Sequence, residues 1–189
     1  MGVRPEVLWD EWEQAKWTND SCTAFPSLTC LAATWNPEMA RLYGKSIGEE
    51  ARFRNKSVLL GPGVNIYRTP LCGRNFEYMG EDPYLASRMA VDYVKGVQSN
   101  GVAVCVKHFA LNNNEINRHT SNPIVDDRTL YEIYLPAFKA AFPTSPFVNT
   151  GALGPTCNAH APNEWLDLAY AEKLTCVFAE LIAGIPSEN

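Results

Sequence analysis

The chain has 189 residues, enough to bury a core of its own, and its 46% hydrophobic and 20% charged residues are typical of a globular protein and exclude a disordered one. A formal net charge of −5 without a basic stripe argues against a nucleic-acid partner. No apolar run approaches the roughly 20 residues of a membrane span, and no signal-peptide pattern opens the sequence. We expect a soluble protein with no membrane partner, and both cytoplasmic and secreted locations stay open.

The first predicted helix begins near Asn36, after a stretch at residues 1–29 that we expect to be loop with short helical pieces. Asn36 is a suitable N-cap, and Pro37 fits the first helical position because that position needs no N–H donor. Apolar residues then recur at helical spacing. They predict a buried face made of Met39, Leu42, Tyr43, Ile47 and Ala51.

A short apolar run at residues 57–60 predicts the first buried strand. The Gly-Pro-Gly sequence at residues 61–63 predicts a sharp turn that ends this strand. We expect a long loop at residues 64–81, which contains Arg74. Loops of this length in compact domains are usually functional when they are not disordered, and this one is too apolar to be disordered.

The second half of the predicted domain repeats the pattern of helix and strand. Asp82 and Pro83 predict the start of a helix, and a β-branched run at residues 102–106 predicts a strand. Lys107 and His108 stand at the exit of that strand, before a polar loop at residues 112–119. A third helix is expected from about Asp127. The helix that begins at Asp82 has an apolar stripe made of Leu85, Met89, Tyr93 and Val97. The helix from about Asp127 has an apolar stripe made of Leu130, Ile133, Tyr134, Ala137, Phe138 and Ala141.

This alternation of helices and strands predicts an α/β fold with parallel strands. The character of the sequence changes after residue 141, because residues 142–163 contain four prolines. Helical periodicity returns at residues 164–183. We therefore divide the chain into a domain at residues 1–141 and a divergent tail at residues 142–189, with a helix predicted at residues 164–183.

The six cysteines favour free thiols over a metal site or a redox motif. No two of them form a C-x-x-C pair, and a chain with its own core does not need disulfides, although their even number leaves disulfides open. Cys105 lies inside an apolar run and is expected to be buried. Histidines with metal-ligand spacing and a phosphate-binding G-x-x-x-x-G-K-[ST] motif are absent from the sequence, so we expect neither a metal nor a cofactor.

The predicted strand exits carry cationic residues that packing does not require. Function in parallel α/β folds collects at the carboxyl ends of strands, and here those ends lead to Arg74 and to Lys107 with His108. Guanidinium, ammonium and imidazole groups offer N–H donors that suit sugar hydroxyls. The alternative is structural, with a salt-bridged lysine and a hydrogen-bonded histidine.

Cleavage of a glycosidic bond normally requires two carboxylates on opposite sides of that bond. Asp82 is best explained as a helix cap, as is either Asp126 or Asp127. Glu115 follows a strand exit and is by position the weak candidate for a catalytic acid, with a solvated or salt-bridged role as the alternative. The candidates considered were Glu77, Glu81, Asp82, Glu115, Asp126 and Asp127.

Four stretches in one order resemble glycoside hydrolase family 3 of the β-glucosidase type, and the likeness runs from residue 2 to residue 141. The stretches are FPSLTCLAATWNPEMARLYGKSIGEEAR, LLGPGVNIYRTPLCGRNFEYMGEDPYL, GVQSNGVAVCVKHFALNNNE and VDDRTLYEIYLPAF. Several motifs in a fixed order are far more specific than one motif alone.

The resemblance implies a fold and a sugar site. It implies that the chain forms part of a (β/α)8 TIM-barrel-like domain, and that the family activity is retaining hydrolysis of terminal β-D-glucosyl or β-xylosyl residues. The arginine of the family's GR motif matches Arg74, and its KH pair matches Lys107 and His108. These positions contact the substrate sugar in the family. The sequence KHFALNNNE departs from the KHFPGHG of the N-acetylglucosaminidase branch and favours the glucosidase or xylosidase branch.

The sequence also departs from the family pattern where the catalytic groups are expected. The family nucleophile is an aspartate in an SDW-type motif, and no SDW occurs here. A sugar-binding aspartate precedes the family's HGVR-type segment, so it is expected upstream of Met1. Asp167 is the only aspartate of the tail, and its surroundings do not match the nucleophile motif. The general acid/base of this branch is expected later than the end of the sequence.

Three hypotheses follow from these observations. The chain is a β-glucosidase-like enzyme acting on a β-glucoside or short oligosaccharide, or it is a catalytically incomplete fragment that at most binds sugar, or it is an α/β domain that acts through protein contacts. An incomplete barrel leaves sheet edges without partners, and such edges favour self-association.

Overall fold

The computed structural model describes residues 23–118, 120–144 and 148–149. The chain alternates between helices and short strands across these ranges. The helices are α1 (Leu28–Ala32), α2 (Pro37–Phe53), α3 (Pro83–Gln98), α4 (Asp127–Thr129) and α5 (Pro136–Ala141), and the strands are β1 (Val58–Leu59), β2 (Gly63–Ile66), β3 (Tyr78–Gly80), β4 (Ala103–Cys105) and β5 (Val148–Asn149).

The strands pair in parallel, which confirms the predicted α/β class. Strand β4 lies between β1 and β5, with Val58 opposite Ala103 and Val104 opposite Val148. Strands β2 and β3 form a second parallel pair. An isolated bridge joins Gly63 to Lys107, so β2 begins beside the exit of β4. Because parallel strands end at the same edge, the exits of β2 and β4 lie close together.

The prediction of one long loop at residues 64–81 is wrong, because β2 and β3 lie within or beside it. All four residues of β2 are buried, including the polar Asn65, so burial does not alternate along this strand as it does in a half-exposed one. Gly63 belongs to β2 rather than to a turn. A Cβ atom there would lie 2.3 Å from the backbone oxygen of Glu77, so only glycine allows this approach of the two chain segments.

The predicted helix starts are confirmed by hydrogen bonds at each N-cap. The Asn36 side chain accepts from the backbone N–H groups of Glu38 and Met39 at 3.0 and 3.2 Å, with Pro37 as the first residue of α2. The Asp82 carboxylate accepts from the Leu85 N–H at 2.7 Å and so caps α3. Each cap satisfies backbone donors that the first helical turn would otherwise leave without partners.

The buried face of α2 differs from the predicted one. Ile47 and Ala51 are buried as predicted, but Met39 is 43% exposed and Leu42 is 56% exposed. The other buried positions of α2 are small residues. The backbones of α2 and α3 approach so closely that a Cβ atom on Gly44 would lie 2.2 Å from the Tyr93 carbonyl oxygen. Small residues permit this approach, and hydrophobic periodicity alone does not reveal it. The buried α2 residues are Ala40, Gly44, Ile47, Gly48 and Ala51.

The third predicted helix is present, but it changes geometry partway along. After Asp126 caps α4, residues Leu130–Tyr134 form a wider π-helical turn, in which the Leu135 N–H donates to the Leu130 carbonyl at 3.0 Å. Pro136 has no N–H to donate and begins α5. Tyr134 and Phe138 are buried in the core beside the α3 residues predicted for it.

The three described cysteines, Cys30, Cys72 and Cys105, form no disulfide. Cys105 is half-buried rather than buried as predicted, because side chains alternate along β4 and Val104 is the residue that points into the core. Cys72 is the buried thiol. Cys22, Cys157 and Cys176 lie outside the described residues, as do His119 and the helix predicted at residues 164–183. Across the described ranges no helix combines the length and the apolar character needed to cross a bilayer.

Candidate functional site

The backbone of Lys107 is fixed between the exits of two strands. Its N–H donates to the Pro62 carbonyl at 3.0 Å, and its own carbonyl accepts from the Val64 N–H at 2.7 Å. These bonds continue the parallel pairing beyond β4 and hold Lys107 and His108 beside β2. The predicted strand exit therefore presents its two residues from a fixed backbone.

Arg74 is positioned by the segment that follows β2. It precedes a short 3-10 turn at Asn75–Glu77 that leads directly into β3. The Asn75 side chain donates to the Thr69 carbonyl at 2.7 Å, and the Tyr67 hydroxyl donates to the Asn75 carbonyl. These contacts give the segment a defined shape, which the sequence did not show.

Glu77 joins the two cations. Its Oε1 atom accepts from Arg74 Nε at 2.5 Å, and its Oε2 atom lies 3.1 Å from Lys107 Nζ. The side chains of Arg74, Glu77 and Lys107 are 24%, 12% and 16% exposed, so water screens this interaction only partly. Burial by itself raises the pKa of Glu77, but the hydrogen bonds and positive charges of Arg74 and Lys107 outweigh it and lower that pKa.

His108 is held against Tyr78. The Tyr78 hydroxyl lies 2.8 Å from His108 Nδ1, and the two rings meet edge to face with centroids 5.8 Å apart. Desolvation, followed by the positive charges of Arg74 and Lys107, lowers the pKa of His108 to about 3. The imidazole is therefore neutral near pH 7. Burial also raises the pKa of Tyr78, so its phenol keeps its proton.

Glu115, the candidate catalytic acid, occurs in the salt-bridged state that was its alternative. Its Oε2 atom accepts from Arg118 at 3.0 Å, and its Oε1 atom accepts from the Asn112 side-chain amide at 2.8 Å. Of the other candidates, Asp82 and Asp126 cap helices, and Glu81 and Asp127 are exposed.

Asparagine side chains that sequence reasoning did not single out hold the polar loop in place. The buried Asn65 donates to the Asn112 carbonyl at 3.1 Å and to Asn113 Oδ1 at 3.0 Å, and its own Oδ1 accepts from the Asn112 N–H at 3.0 Å. Asn113 in turn donates to the Tyr134 hydroxyl at 2.8 Å. The run of three asparagines after a strand exit is the one signal in the sequence that pointed here.

The three predicted sugar-binding residues thus lie together around one carboxylate and one phenol. Arg74 and Lys107 share Glu77, while Tyr78, the next residue, contacts His108. The arrangement offers N–H donors of fixed position, which can bind the hydroxyl oxygens of a ligand. Within residues 23–118 and 120–144, no three His, Cys, Asp or Glu side chains converge to hold a metal ion.

Residues 11–148 match the family model described as the glycosyl hydrolase family 3 N terminal domain. The chain is 71% identical to Beta-glucosidase BoGH3A of Bacteroides ovatus over 140 residues. This match covers 74% of this chain and 19% of that enzyme. Over 119 residues it is 56% identical to Thermostable beta-glucosidase B of Acetivibrio thermocellus, covering 63% of this chain and 16% of that enzyme. The chain therefore spans less than a fifth of the length of these relatives.

Solved structures share the fold as well as the sequence. β-Glucosidase 3B of Thermotoga neapolitana, in complex with α-D-glucose, superimposes with a TM-score of 0.64 at 46% identity, over 71% of this chain and 20% of that one. DesR, a β-glucosidase of Streptomyces venezuelae in complex with D-glucose, superimposes with a TM-score of 0.67 at 38% identity. The match covers 74% of this chain and 19% of the DesR chain.

These likenesses confirm the resemblance that the sequence motifs indicated. The parallel strands and their helices form part of a TIM-barrel-like α/β domain. The family match includes every strand exit described above, with Arg74, Lys107 and His108 among its residues. The chain belongs to glycosyl hydrolase family 3 and carries part of its N-terminal domain.

Proposed function

We propose that this chain supplies the glycosyl-binding part of a β-glucosidase-type hydrolase, with Arg74, Lys107 and His108 binding the terminal sugar. The observation that carries the proposal is the pair of ionic contacts from Glu77, which fix Arg74 and Lys107 side by side at strand exits. Isolated cations at these positions would be mobile. Cations oriented in advance can bind a sugar ring at a smaller entropic cost.

The substrate class follows from the donors and from the relatives. Arginine and lysine side chains donate only, so the ligand must offer several acceptor oxygens, as a pyranose does. The two relatives described above are named beta-glucosidases, and both of the solved structures described above hold glucose. We propose a β-glucoside or short oligosaccharide with a terminal β-D-glucosyl or β-xylosyl residue, hydrolysed with retention of configuration.

A second candidate function is sugar binding without turnover by this chain. Retaining hydrolysis needs a carboxylate nucleophile and a carboxyl acid/base. The sequence contains no SDW motif, and the two carboxylates near the proposed site are both held by cations: Glu77 by Arg74 and Lys107, and Glu115 by Arg118. The pKa of Glu77 is lowered by these contacts, so this carboxylate is a poor proton donor and is not suited to act as the acid.

Release of nitrophenol from 4-nitrophenyl β-D-glucoside by the purified chain separates the two functions. The parallel substrate is the β-xyloside, and the matched control is Arg74→Ala. Activity that Arg74→Ala abolishes would support hydrolysis by this chain and would require a nucleophile other than an SDW aspartate. A folded chain that binds glucose without releasing nitrophenol would support the second candidate. A chain that neither binds nor hydrolyses would refute both.

We also propose that the chain self-associates through its unpaired sheet edge. Strand β1 pairs with β4 on one side, and within the described ranges no strand covers its other side. An open edge offers backbone donors and acceptors to a second copy. Sedimentation velocity over a hundred-fold range of protein concentration tests this. Association that rises with concentration is expected, and a monomer throughout would refute it.

A further inference from the structure

The side-chain amide of Asn112 lies between two acceptors. Its Nδ2 atom carries two hydrogens, and the structure places Glu115 Oε1 at 2.8 Å and the Tyr78 hydroxyl oxygen at 2.9 Å from it. An ionised carboxylate only accepts, so the carboxylate fixes which end of the amide faces it. An inverted amide would set its carbonyl oxygen against the oxygen of Glu115. Arg118 holds the other oxygen of Glu115 at 3.0 Å and keeps the carboxylate in place.

The orientation of Asn112 determines where the phenolic hydrogen of Tyr78 points. The Tyr78 oxygen accepts a hydrogen from Asn112, and the tyrosine is completely buried, so water does not reach it. Its own hydrogen then needs an acceptor within the protein, because a buried donor without a partner is costly. His108 Nδ1, at 2.8 Å, is that acceptor.

The protonation state of His108 determines which of its two ring nitrogens carries a hydrogen. The pKa of this imidazole lies near 3, so the ring is neutral at pH 7 and carries a single N–H. A neutral ring whose Nδ1 accepts must carry its hydrogen on Nε2. Among the described residues, no hydrogen bond involves Nε2.

We propose that Glu115 is a positioning residue that acts through Asn112 and Tyr78 to hold His108 in the Nε2–H tautomer, as a hydrogen-bond donor to the ligand. The role of this donor in sugar binding rests on the proposed function, but the tautomer itself does not. Glu115 therefore belongs to the site without touching the sugar. Arg74, Lys107 and His108 then all donate, so each ligand oxygen that they contact must accept.

Nuclear magnetic resonance of the full chain labelled with 15N in its histidine rings reads the tautomer directly. Long-range proton–nitrogen correlations at pH 7 distinguish a protonated Nε2 from a protonated Nδ1, and the His108→Gln variant assigns the His108 ring. We expect a protonated Nε2 and an unprotonated Nδ1 in the wild type. The opposite pattern, or an equal mixture of the two, would overturn the proposal.

Variants of Glu115 test the remote part of the chain of contacts. Glu115→Ala removes the acceptor, so the Asn112 amide can invert and accept from Tyr78, and the two nitrogen shifts of His108 should move toward each other. Glu115→Gln keeps an acceptor oxygen and should restore the wild-type shifts. Glu132→Ala, at an exposed helical site, is the control and should change nothing. Unchanged shifts in Glu115→Ala would contradict the proposed role of Glu115.

Tyr78→Phe covers the case in which Glu115→Ala does not fold, because phenylalanine fills the same space. It removes the hydrogen donated to Nδ1, so the same convergence of shifts is expected, and its absence would count against the proposal. A glucose titration distinguishes failure of the proposed sugar-binding function from failure of the proposed His108 tautomer. A wild-type chain with the expected tautomer but no glucose response would refute the proposed function alone. Glucose binding by a chain with a protonated Nδ1 would refute the tautomer alone.

Discussion

Glu77 Oε2 lies 3.1 Å from Lys107 Nζ, although thirty positions of sequence separate the two residues. Glu77 ends the segment that follows β2, and Lys107 leaves β4, so this contact joins two strand exits. The other oxygen of Glu77 holds Arg74. One carboxylate thus fixes the relative positions of two cations that the sequence had predicted to bind the same sugar.

Replacing Glu77 by glutamine should destabilise the chain and weaken sugar binding. The substitution leaves Arg74 and Lys107 as two partly buried cations without a counter-charge, and we expect a loss of about 1–3 kcal/mol in the free energy of unfolding. Urea denaturation measures this loss. The matched control is Glu132→Gln, whose partner Arg128 is 82% exposed, and there we expect less than about 0.5 kcal/mol. Equal losses of unfolding free energy at both positions would show that the ion pairs of Glu77 contribute no more than an exposed surface pair.

Alanine at Gly96 should also destabilise the chain, even though alanine favours helices. A Cβ atom there would lie 2.2 Å from the Arg41 carbonyl oxygen, so α2 and α3 would have to separate. We expect a net loss of about 1–3 kcal/mol, as for other overpacked cores. Gly73→Ala is the control, because a Cβ atom at Gly73 meets no other atom within 4 Å. Thermal unfolding of the two variants tests the packing, and a stabilised Gly96→Ala would be inconsistent with it.

Because the pKa of His108 is lowered in the folded chain, the free energy of unfolding should decrease as the pH is lowered below about 6.5. Unfolded chains bind a proton at this histidine below pH 6.5, while the folded chain binds it only near pH 3, so acid favours the unfolded state. Between pH 6.5 and pH 5 we expect a loss of about 1–2 kcal/mol from this group. Glu77, whose pKa is also lowered, contributes in the same direction at lower pH.

The His108→Gln variant isolates this effect, because it removes this imidazole and keeps His119 and His160 in the sequence. Urea denaturation at pH 7.5, 6.5, 5.5 and 5.0 should give a shallower dependence on pH for the variant than for the wild type. Parallel curves for the two proteins would mean that His108 is not held neutral by its surroundings.

The parts of the fold that depend on local sequence could be predicted, and the parts that depend on tertiary contacts could not. Asn36, Asp82 and Asp126 cap helices because each side chain reaches backbone donors two or three residues away. The order of helices and strands set the parallel class. By contrast, β2 is only four residues long and buries the polar Asn65, so its pattern is too short to indicate a strand. Helix α2 packs through glycines that hydrophobic patterns ignore.

The site divides in the same way. Arg74, Lys107 and His108 could be singled out because they follow predicted strands or match family motifs. The roles of Glu77, Tyr78 and Asn112 could not, because each depends on which residues the fold brings within hydrogen-bond or ion-pair distance. Glu115 shows the difference most clearly. Its position after a strand suggested an acid, and the structure shows both of its carboxyl oxygens already in contact with Asn112 and Arg118.

The most direct test of the account is a glucose titration of the chain followed by nuclear magnetic resonance, with the His108 ring and the Arg74 Nε–H as reporters. We expect saturable shifts of both signals in the wild type, and their loss in Arg74→Ala without loss of the folded spectrum. Shifts absent from the wild type, or unchanged in Arg74→Ala, would contradict the claim that the strand exits of this chain form a sugar site.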